Sequence, residues 1–434
     1  MINIKLKSEL NNINIKLLLS LIFFAILPSI YSTLRIYLLG TYPDDSAINI
    51  ASQQMWLGII YEVLQEAIIA PMFFFIGKIS NNDKSNLINK IKTFILIILI
   101  IYFIIALLIN IFSNNLVSAM KQNEILINQT ATYIRLESFA NIFIIIFQFF
   151  IIINVALGNY KEIFVVSILK TVITVIFDFI FISRYPISIN VGVNGIAYNN
   201  IFSNFISIIV FIILLNNNGY NIFSKEIKFN FLYNINIGKI NVVSGFESFY
   251  RNFIFSFMIL RMVNIVGGQG NYWIANNFYW SWLLIPALQL GEIIKSNFSK
   301  NKDLSLKPYI LLNTIFVIIW LIFTPLYKYF IRYIMNVQNY EQILFLIMII
   351  LPFYIIFSYG NIITNIFYGI GKPKYILLQS FIVNTLFYGI FFILYINNIF
   401  KPTLINIALM FGGSMAFGSI INYIIYFIVK KSDY

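Results

Sequence analysis

Carboxylates that share one helix face in an apolar setting can carry a proton or hold an organic cation. Glu62 and Glu66 lie four residues apart, with Gln65 beside them, and this spacing places both acids on one side of an α-helix. Two like charges so close repel each other, so one of the pair is expected to keep its proton at neutral pH. The alternative is that one acid bonds a neighbouring helix or pairs with Lys170.

Nine further charged residues fall in or at the ends of apolar stretches, where a charge needs a partner or a water-filled cavity. They are Glu137, Asp178, Glu247, Glu292, Arg35, Arg135, Lys170, Arg251 and Arg261. Together with the first two acids, the set holds six acids and five bases. Nearly equal numbers of acidic and basic residues would allow most of these charges to form ion pairs with one another.

Two of these charges are expected to form the centre of a network. We expect Arg35 and Asp178 to pair near the outer ends of their helices, with Glu62, Arg135 and Glu137 close by. Protonation or a cationic substrate would switch such a network. The alternative is a static ion pair that only fixes helix packing.

A second possible pair is Glu247 with Arg251, which are also four residues apart. The acid comes first, which is the better order for a local pair on a helix. Glu292 lies close to Lys295 at the end of an apolar stretch and is interpreted as structural.

The setting of these charges is exceptionally apolar. Of the 434 residues, 60% are hydrophobic and only 10% are charged, whereas soluble domains run at about 45–50% apolar and about 25% charged. A soluble protein of this composition would expose large adhesive patches. The composition therefore argues against a cytosolic enzyme or a nucleic-acid-binding protein.

The chain contains neither histidine nor cysteine, which removes whole classes of chemistry. Without Cys there are no disulfides, thiolate metal sites or Cys nucleophiles, and without His the commonest general base and metal ligand is missing. No G-x-x-x-x-G-K-[ST] phosphate loop occurs either. We therefore expect no enzyme activity, no cofactor and no ATP hydrolysis by this chain, so that any coupled proton must be carried by Glu or Asp.

Apolar segments of about 20 residues are long enough to cross a bilayer as helices. Twelve such segments predict an all-α membrane protein with twelve transmembrane helices: 17–39, 52–76, 93–113, 133–157, 163–183, 193–215, 241–264, 273–294, 309–331, 342–368, 375–397 and 403–429. The first segment has no small-residue cleavage site and is interpreted as a retained helix.

The basic residues predict the orientation of these helices. Of the 29 Lys and Arg residues, 19 fall between spans on one side and five on the other. Cytoplasmic loops of membrane proteins are enriched in Lys and Arg, so both termini are predicted to be cytoplasmic. The net charge of +13 is then a signal of topology and gives no reason to expect a nucleic-acid partner.

The two halves of the sequence repeat. The fourth to sixth spans align with the tenth to twelfth at an offset of 211, which matches Asn154, Gly158 and Lys161 with Asn365, Gly369 and Lys372. The first two spans align with the seventh and eighth, so that Arg35 falls on Arg261. An even number of spans per repeat gives two parallel six-helix bundles, predicted as 1–220 and 221–434. The alternative is a chance match between two Ile-rich halves.

Several segments resemble the multidrug and toxic compound extrusion (MATE) family of the MATE/polysaccharide-flippase superfamily. The segment "LGNYKEIFVVSILKTVITVIFDFIFI" and the following "VGVNGIAYNN" are similar to the fifth and sixth helices of that family. The segments "GFESFYRNFIFSFMILRMVNIVGG" and "WIANNFYWSWLLIPALQLGEIIKSN" are similar to the seventh and eighth. The resemblance implies export of organic cations by antiport with Na⁺ or H⁺.

The chain departs from the family pattern at the expected cation site. Arg35 stands where the family usually has an Asp in the first helix, and Thr174 replaces the family Asn, whereas Asp178 is kept. The resemblance implies a possible Na⁺ site near Asp178, which a cation at position 35 would oppose. It also implies that Glu247 on the seventh helix contacts the substrate.

We therefore predict a secondary active transporter of the cytoplasmic membrane of a bacterium or archaeon, working as a monomer by alternating access. Its partners would be a small lipophilic cation, Na⁺ or H⁺, and the lipid bilayer. Two alternatives stay open at this point. A lipid-linked oligosaccharide flippase would use the cations inside the spans, and a membrane glycosyltransferase would use Asp44 and Asp45 in the first outer loop.

Overall fold

The computed structural model describes residues 13–43, 46–65, 84–157, 159–220, 246, 248–302, 304–372 and 374–432. Within these ranges the chain is helical and forms no β-strand, which confirms the predicted all-α class. The first half contains α1 (Ile15–Leu39), α2 (Ser46–Ser52), α3 (Gln54–Leu64), α4 (Lys84–Ala119), α5 (Ile127–Leu157), α6 (Tyr160–Phe181) and α7 (Asn194–Asn217).

The second half contains helices that four π-helical turns interrupt or extend. The α-helices are α8 (Arg261–Ile265), α9 (Gln269–Phe278), α10 (Ile285–Lys300), α11 (Lys307–Tyr329), α12 (Tyr340–Gly369), α13 (Lys374–Ile382), α14 (Tyr388–Ile396) and α15 (Leu404–Ser432). The π turns are Ser256–Leu260, Tyr279–Leu283, Phe330–Ile334 and Val383–Phe387.

Nine helices in the described part of the chain are long and apolar enough to cross a membrane. They match nine of the twelve predicted spans. The second and seventh predicted spans extend outside the described residues. The eighth is divided between α9 and α10, where Pro286 lies in the first turn of α10; a proline fits there because that turn needs no backbone N–H donor. The chain is a multi-pass membrane protein.

The described residues cluster in two compact units, Leu34–Ser256 and Met1–Thr33 with Phe257–Tyr434. One boundary between the units falls within α1, between Thr33 and Leu34. The other falls after Ser256, which is the first residue of a π turn. The predicted division into 1–220 and 221–434, its parallel repeat and its orientation in the membrane stay predictions.

The Leu34–Ser256 unit is built around α5, which packs against α4 and α7, while α6 packs along α7. The buried face of α7 carries small and polar residues: Gly195, Ala197, Asn199, Asn200, Ser203, Asn204 and Ser207. Such residues let membrane helices approach closely and bond to each other. This face positions the amide groups of the candidate site.

The other unit has its most extensive packing between α12 and α15 and between α10 and α12. Glycines allow these helices to approach. A Cβ atom built on Gly369 would lie 2.8 Å from the Lys295 carbonyl oxygen and 3.0 Å from the Phe298 Cβ. Because the Lys295 carbonyl oxygen belongs to the backbone of α10, it cannot rotate out of the way as the end of a flexible side chain could.

We predict that Gly369→Ala lowers the thermal stability of the detergent-purified protein. Overpacking of this kind costs about 1–3 kcal/mol, because α10 and α12 must separate to admit the methyl group. Gly389→Ala is the matched control, since a Cβ atom at Gly389 meets nothing within 4 Å. Equal unfolding midpoints for the two variants, measured by thermal scanning, would contradict the close packing at Gly369.

Candidate functional site

A buried ion pair joins α1 to α6. The Arg35 Nε atom lies 3.1 Å from Asp178 Oδ1 and 3.2 Å from Oδ2. The Asp178 side chain is fully buried and that of Arg35 is 12% exposed. The structure thus brings together the two residues at the centre of the predicted network. Because both charges are withdrawn from water, each depends on the other for neutralisation.

An amide on α7 extends this pair to a second acid. Arg35 Nη2 donates to Asn200 Oδ1 at 3.0 Å, and Asn200 Nδ2 donates to Glu137 Oε1 at 2.7 Å. Gln54 Nε2 donates to the same Glu137 oxygen at 3.2 Å. Glu137 on α5 is fully buried. Five helices therefore contribute to one connected set: α1, α3, α5, α6 and α7.

The neighbours of Asp178 on α7 are neutral donors. Asn199 Nδ2 donates to Asp178 Oδ1 and, at 2.7 Å, to the Thr174 backbone oxygen. Thr174 Oγ1 and Asn199 Oδ1 are buried and have no hydrogen-bond partner. The predicted site residue Thr174 thus lies next to the network, one helical turn before Asp178, but its hydroxyl takes no part in it.

These groups do not form a site that fits Na⁺. Hard cations bind through oxygen ligands, whereas the described hydrogen-bond partners of the Asp178 carboxylate are N–H donors from Arg35 and Asn199. Within the described ranges, no group of three or more acidic residues could hold a metal ion. The guanidinium therefore takes the place that a monovalent cation would need beside Asp178.

A separate cavity of about 180 Å³ lies elsewhere in the same unit. Its lining residues come from α3, α4 and α5 and from the residue that follows α3: Gly58, Tyr61, Glu62, Gln65, Tyr102, Asn141, Ile144, Ile145 and Gln148. The Tyr61 and Tyr102 rings stack with centroids 5.6 Å apart. The Tyr102 hydroxyl and Gln148 Oε1 are buried without a hydrogen-bond partner. The cavity thus combines an aromatic wall, one acid and unsatisfied polar atoms.

The acid in this cavity has a loose partner. Arg251 Nη1 lies 3.7 Å from Glu62 Oε1, and the two side chains are 40% and 47% exposed. Exposed pairs of this kind contribute about 0–1 kcal/mol. Glu62 therefore lines the cavity, and its expected place near the Arg35–Asp178 pair stays a prediction.

Other predicted residues make contacts outside the two sets of residues described above. Arg135 Nε donates to Ser113 Oγ at 2.7 Å, and Lys170 Nζ lies 3.9 Å from the Phe147 ring centroid rather than beside Glu62. Arg261 lies over the Phe257 ring at 5.2 Å. Glu66 and Glu247 lie outside the described residues.

Glu292 and Lys295 form the exposed pair expected of a structural contact, with Nζ 2.7 Å from Oε1. The tryptophans of the eighth predicted span also bond within their unit. Trp280 Nε1 donates to the Tyr354 hydroxyl at 3.1 Å, and Trp282 Nε1 donates to Thr33 Oγ1 at 2.9 Å.

Sequence reasoning missed the neutral members of the site. Asn200 and Gln54 connect the charges, and Tyr102 forms a wall of the cavity. The chain is so rich in Asn and Tyr that residue type alone gave no signal. The burial of two adjacent asparagines, Asn199 and Asn200, on the small-residue face of a membrane helix could have found them.

We predict that Asp178→Asn and Arg35→Gln each destabilise the protein, because each leaves a buried charge without its partner. Breaking a buried pair from one side costs about 3–5 kcal/mol. The double variant should recover part of that loss, since neither charge remains. Thermal unfolding of the four proteins forms a double-mutant cycle, and strictly additive effects would show that the pair contributes no coupling energy.

Comparison with known proteins places this architecture among membrane transporters of known structure. No protein-family model matches the sequence. No curated protein matches it either. The chain does match solved structures over nearly its whole length. An inward-facing multidrug resistance MATE family transporter of the MOP superfamily is 15% identical, with a TM-score of 0.76 over 96% of this chain and 97% of that one.

Two further solved structures that match the chain are of proteins from Vibrio cholerae and Pyrococcus furiosus. A variant of a Vibrio cholerae MATE transporter is 15% identical, with a TM-score of 0.64 over 99% of this chain and 97% of that one. A MOP superfamily transporter from Pyrococcus furiosus, also 15% identical, has a TM-score of 0.64 over 96% of each chain. At this level of identity the likeness concerns architecture, and the chain has the all-α fold of the MATE transporters of the MOP superfamily.

Proposed function

We propose that the protein is a secondary active transporter that exports organic cations across the cytoplasmic membrane by antiport with an ion. The observation that carries this proposal is the cavity around Glu62, which pairs a half-exposed carboxylate with aromatic rings. The fold supports it, because the solved neighbours are described as MATE family transporters. A monomer with one such cavity is sufficient for the proposed activity.

The size of the cavity limits what it can hold. Drug-sized ligands occupy pockets of about 300–1,000 Å³, whereas this cavity measures about 180 Å³. It is large enough for the charged head of a lipophilic cation, but the apolar remainder would have to lie outside it. The faces of Tyr61 and Tyr102 would attract such a head through cation–π interactions.

The loose Arg251–Glu62 pair offers a mechanism for binding. At 3.7 Å and in contact with water, this pair contributes little to stability. A substrate cation can therefore replace the guanidinium beside Glu62 at small cost. Gln65 and Asn141, which also line the cavity, would hydrogen-bond polar substituents of the substrate.

An ion gradient is the proposed energy source, since the sequence has no phosphate-binding loop. A membrane potential of about 100 mV provides about 2.3 kcal/mol for each net positive charge that a transport cycle moves inward. That energy sustains roughly a 50-fold concentration ratio when the cycle imports one more positive charge than it exports. The Arg35–Asp178–Glu137 network is the proposed coupling element, because it holds buried acids whose charge state can change.

We predict that Gly58→Leu reduces efflux of a fluorescent lipophilic cation from proteoliposomes by roughly tenfold, which corresponds to about 1.4 kcal/mol of binding. A Cβ atom at Gly58 meets nothing within 4 Å, and Gly58 lines the cavity, so the larger side chain would take up space within it. Gly389→Leu is the matched control, because Gly389 also lies on a helix with open space beside it.

The efflux assay tests the role of the cavity separately from the export function. Efflux that is equal in the two variants would remove the cavity from the proposal. A wild-type protein that exports no cation under either a Na⁺ or an H⁺ gradient would contradict the export function itself.

A lipid-linked oligosaccharide flippase is the second candidate, and one observation favours it. Lys170 lies in the middle of α6 and makes no ion pair with any described carboxylate, because its ammonium packs on Phe147. A cation inside a membrane protein can receive a phosphate group. For the Pyrococcus furiosus neighbour, the reverse polarity of the binding pocket is described as suggesting a different function.

Lys170→Gln separates the two candidates. If the protein flips anionic lipids, this variant should lose translocation of a fluorescent lipid phosphate in proteoliposomes while keeping its thermal stability. If the protein exports cations, efflux should persist in the variant. Wild-type protein that moves no lipid phosphate would exclude the flippase.

A further inference from the structure

Glu137 is a fully buried acid whose direct partners are all neutral. Its Oε1 atom accepts from Asn200 Nδ2 at 2.7 Å and from Gln54 Nε2 at 3.2 Å. Its Oε2 atom is buried and has no hydrogen-bond partner. A carboxylate in such a place lacks both a counter-ion and full solvation, which makes its ionised form costly.

The nearest cation is already engaged. Arg35 Nε lies within 3.2 Å of both oxygens of Asp178, and the guanidinium reaches Glu137 only through the Asn200 side chain. One positive charge thus stands between two acids. When Arg35 neutralises Asp178, a proton is the simplest charge that can neutralise Glu137.

No other described charge competes for this role. The titratable groups that face Glu137 from its own helix and from α3 are the Tyr133 and Tyr61 hydroxyls, which donate to Gln54 Oε1 and to the Ser138 carbonyl oxygen. Lys170 on α6 packs on Phe147 and pairs with no described acid. Arg135, two residues before Glu137, donates to Ser113 Oγ on α4.

We propose that Glu137 is the proton-binding site of this transporter and that Arg35 is a tethered cation shared between Glu137 and Asp178. In the arrangement observed, the proton resides on Glu137 and Arg35 neutralises Asp178. Loss of the proton to water leaves a Glu137 carboxylate, which attracts Arg35 by way of Asn200 and weakens the Arg35–Asp178 contact. The inference rests on the proposed transport function, because it names the ion that drives it.

The same geometry makes coupling independent of Na⁺. The Asp178 carboxylate receives N–H donors from Arg35 and Asn199, and Glu137 receives N–H donors from Asn200 and Gln54. Neither carboxylate offers the cluster of oxygen ligands that an alkali cation requires. A proton needs only one carboxylate oxygen, and Glu137 Oε2 is available for it.

Infrared difference spectroscopy of the full-length protein tests the proton site without any transport. Wild-type protein should show the carbonyl stretching band of a protonated carboxyl group, gaining intensity as the pH falls. Glu137→Gln should lose this band, and Glu162→Gln should keep it. Glu162 is a suitable control, because it lies in the first turn of α6 and accepts a hydrogen bond from Asn218. A band that persists in Glu137→Gln would overturn the proposal.

A transport assay tests the coupling. In a one-for-one exchange, a gradient of one pH unit can sustain about a tenfold concentration ratio of substrate. Glu137→Gln, which mimics the protonated acid, should lose this tenfold accumulation. It should still exchange substrate across the vesicle membrane when no pH gradient is applied. Accumulation driven by Na⁺ alone in the wild type, or retained in Glu137→Gln under a pH gradient, would overturn the proposal.

Failure of the proposed function would look different. If wild-type protein moves no lipophilic cation under any gradient, the export function is wrong. The infrared band still decides whether Glu137 binds a proton. Asn200→Ala adds a third readout, because loss of the linking amide should shift the pH at which the band appears. A purely structural role for Asn200 would lower stability and leave that pH unchanged.

Discussion

The described part of the Leu34–Ser256 unit depends on one buried guanidinium. Arg35 connects α1 to α6 through Asp178 and to α7 through Asn200. A buried charge must be neutralised by a partner within reach, because leaving it without one costs several kcal/mol of desolvation. The register of these three helices is therefore set by where Arg35 can meet Asp178, and small residues on α7 allow the close approach.

Neutral amides determine how far the influence of this charge extends. A side-chain amide offers both a donor and an acceptor, so Asn200 can accept from Arg35 and donate to Glu137 at the same time. Hydrogen bonds connected in this way polarise one another in a low-dielectric interior. The state of Glu137 is consequently linked to the position of Arg35, although the two side chains share no direct hydrogen bond among those described.

The sequence predicted the helical class, nine long helices and the Arg35–Asp178 pair, because each depends on strong physical rules: the length of an apolar span and the cost of an isolated charge in lipid. It did not predict that Tyr61 and Tyr102 line a cavity with Glu62. Depth along a helix could be estimated from sequence, but the direction of the side chain around the helix could not. The hydrogen bonds of the Asn200 and Gln54 amides were not predicted, because tertiary packing determines which side chains meet. The spacing of residues along the chain gives no information on that packing.

The predicted repeat offers an internal comparison for the role of the charges. At the offset of 211, the positions of Glu137, Asp178 and Asn200 correspond to Met348, Gly389 and Phe411. None of these residues is charged, yet α12 and α15 of that repeat pack extensively. Polar contacts between neutral groups occur in this unit, such as those of Tyr354 with Asn276 and Trp280. In this predicted alignment, α12 and α15 pack extensively without charges at the three corresponding positions, so close packing of the helices alone does not account for the charges at Glu137 and Asp178.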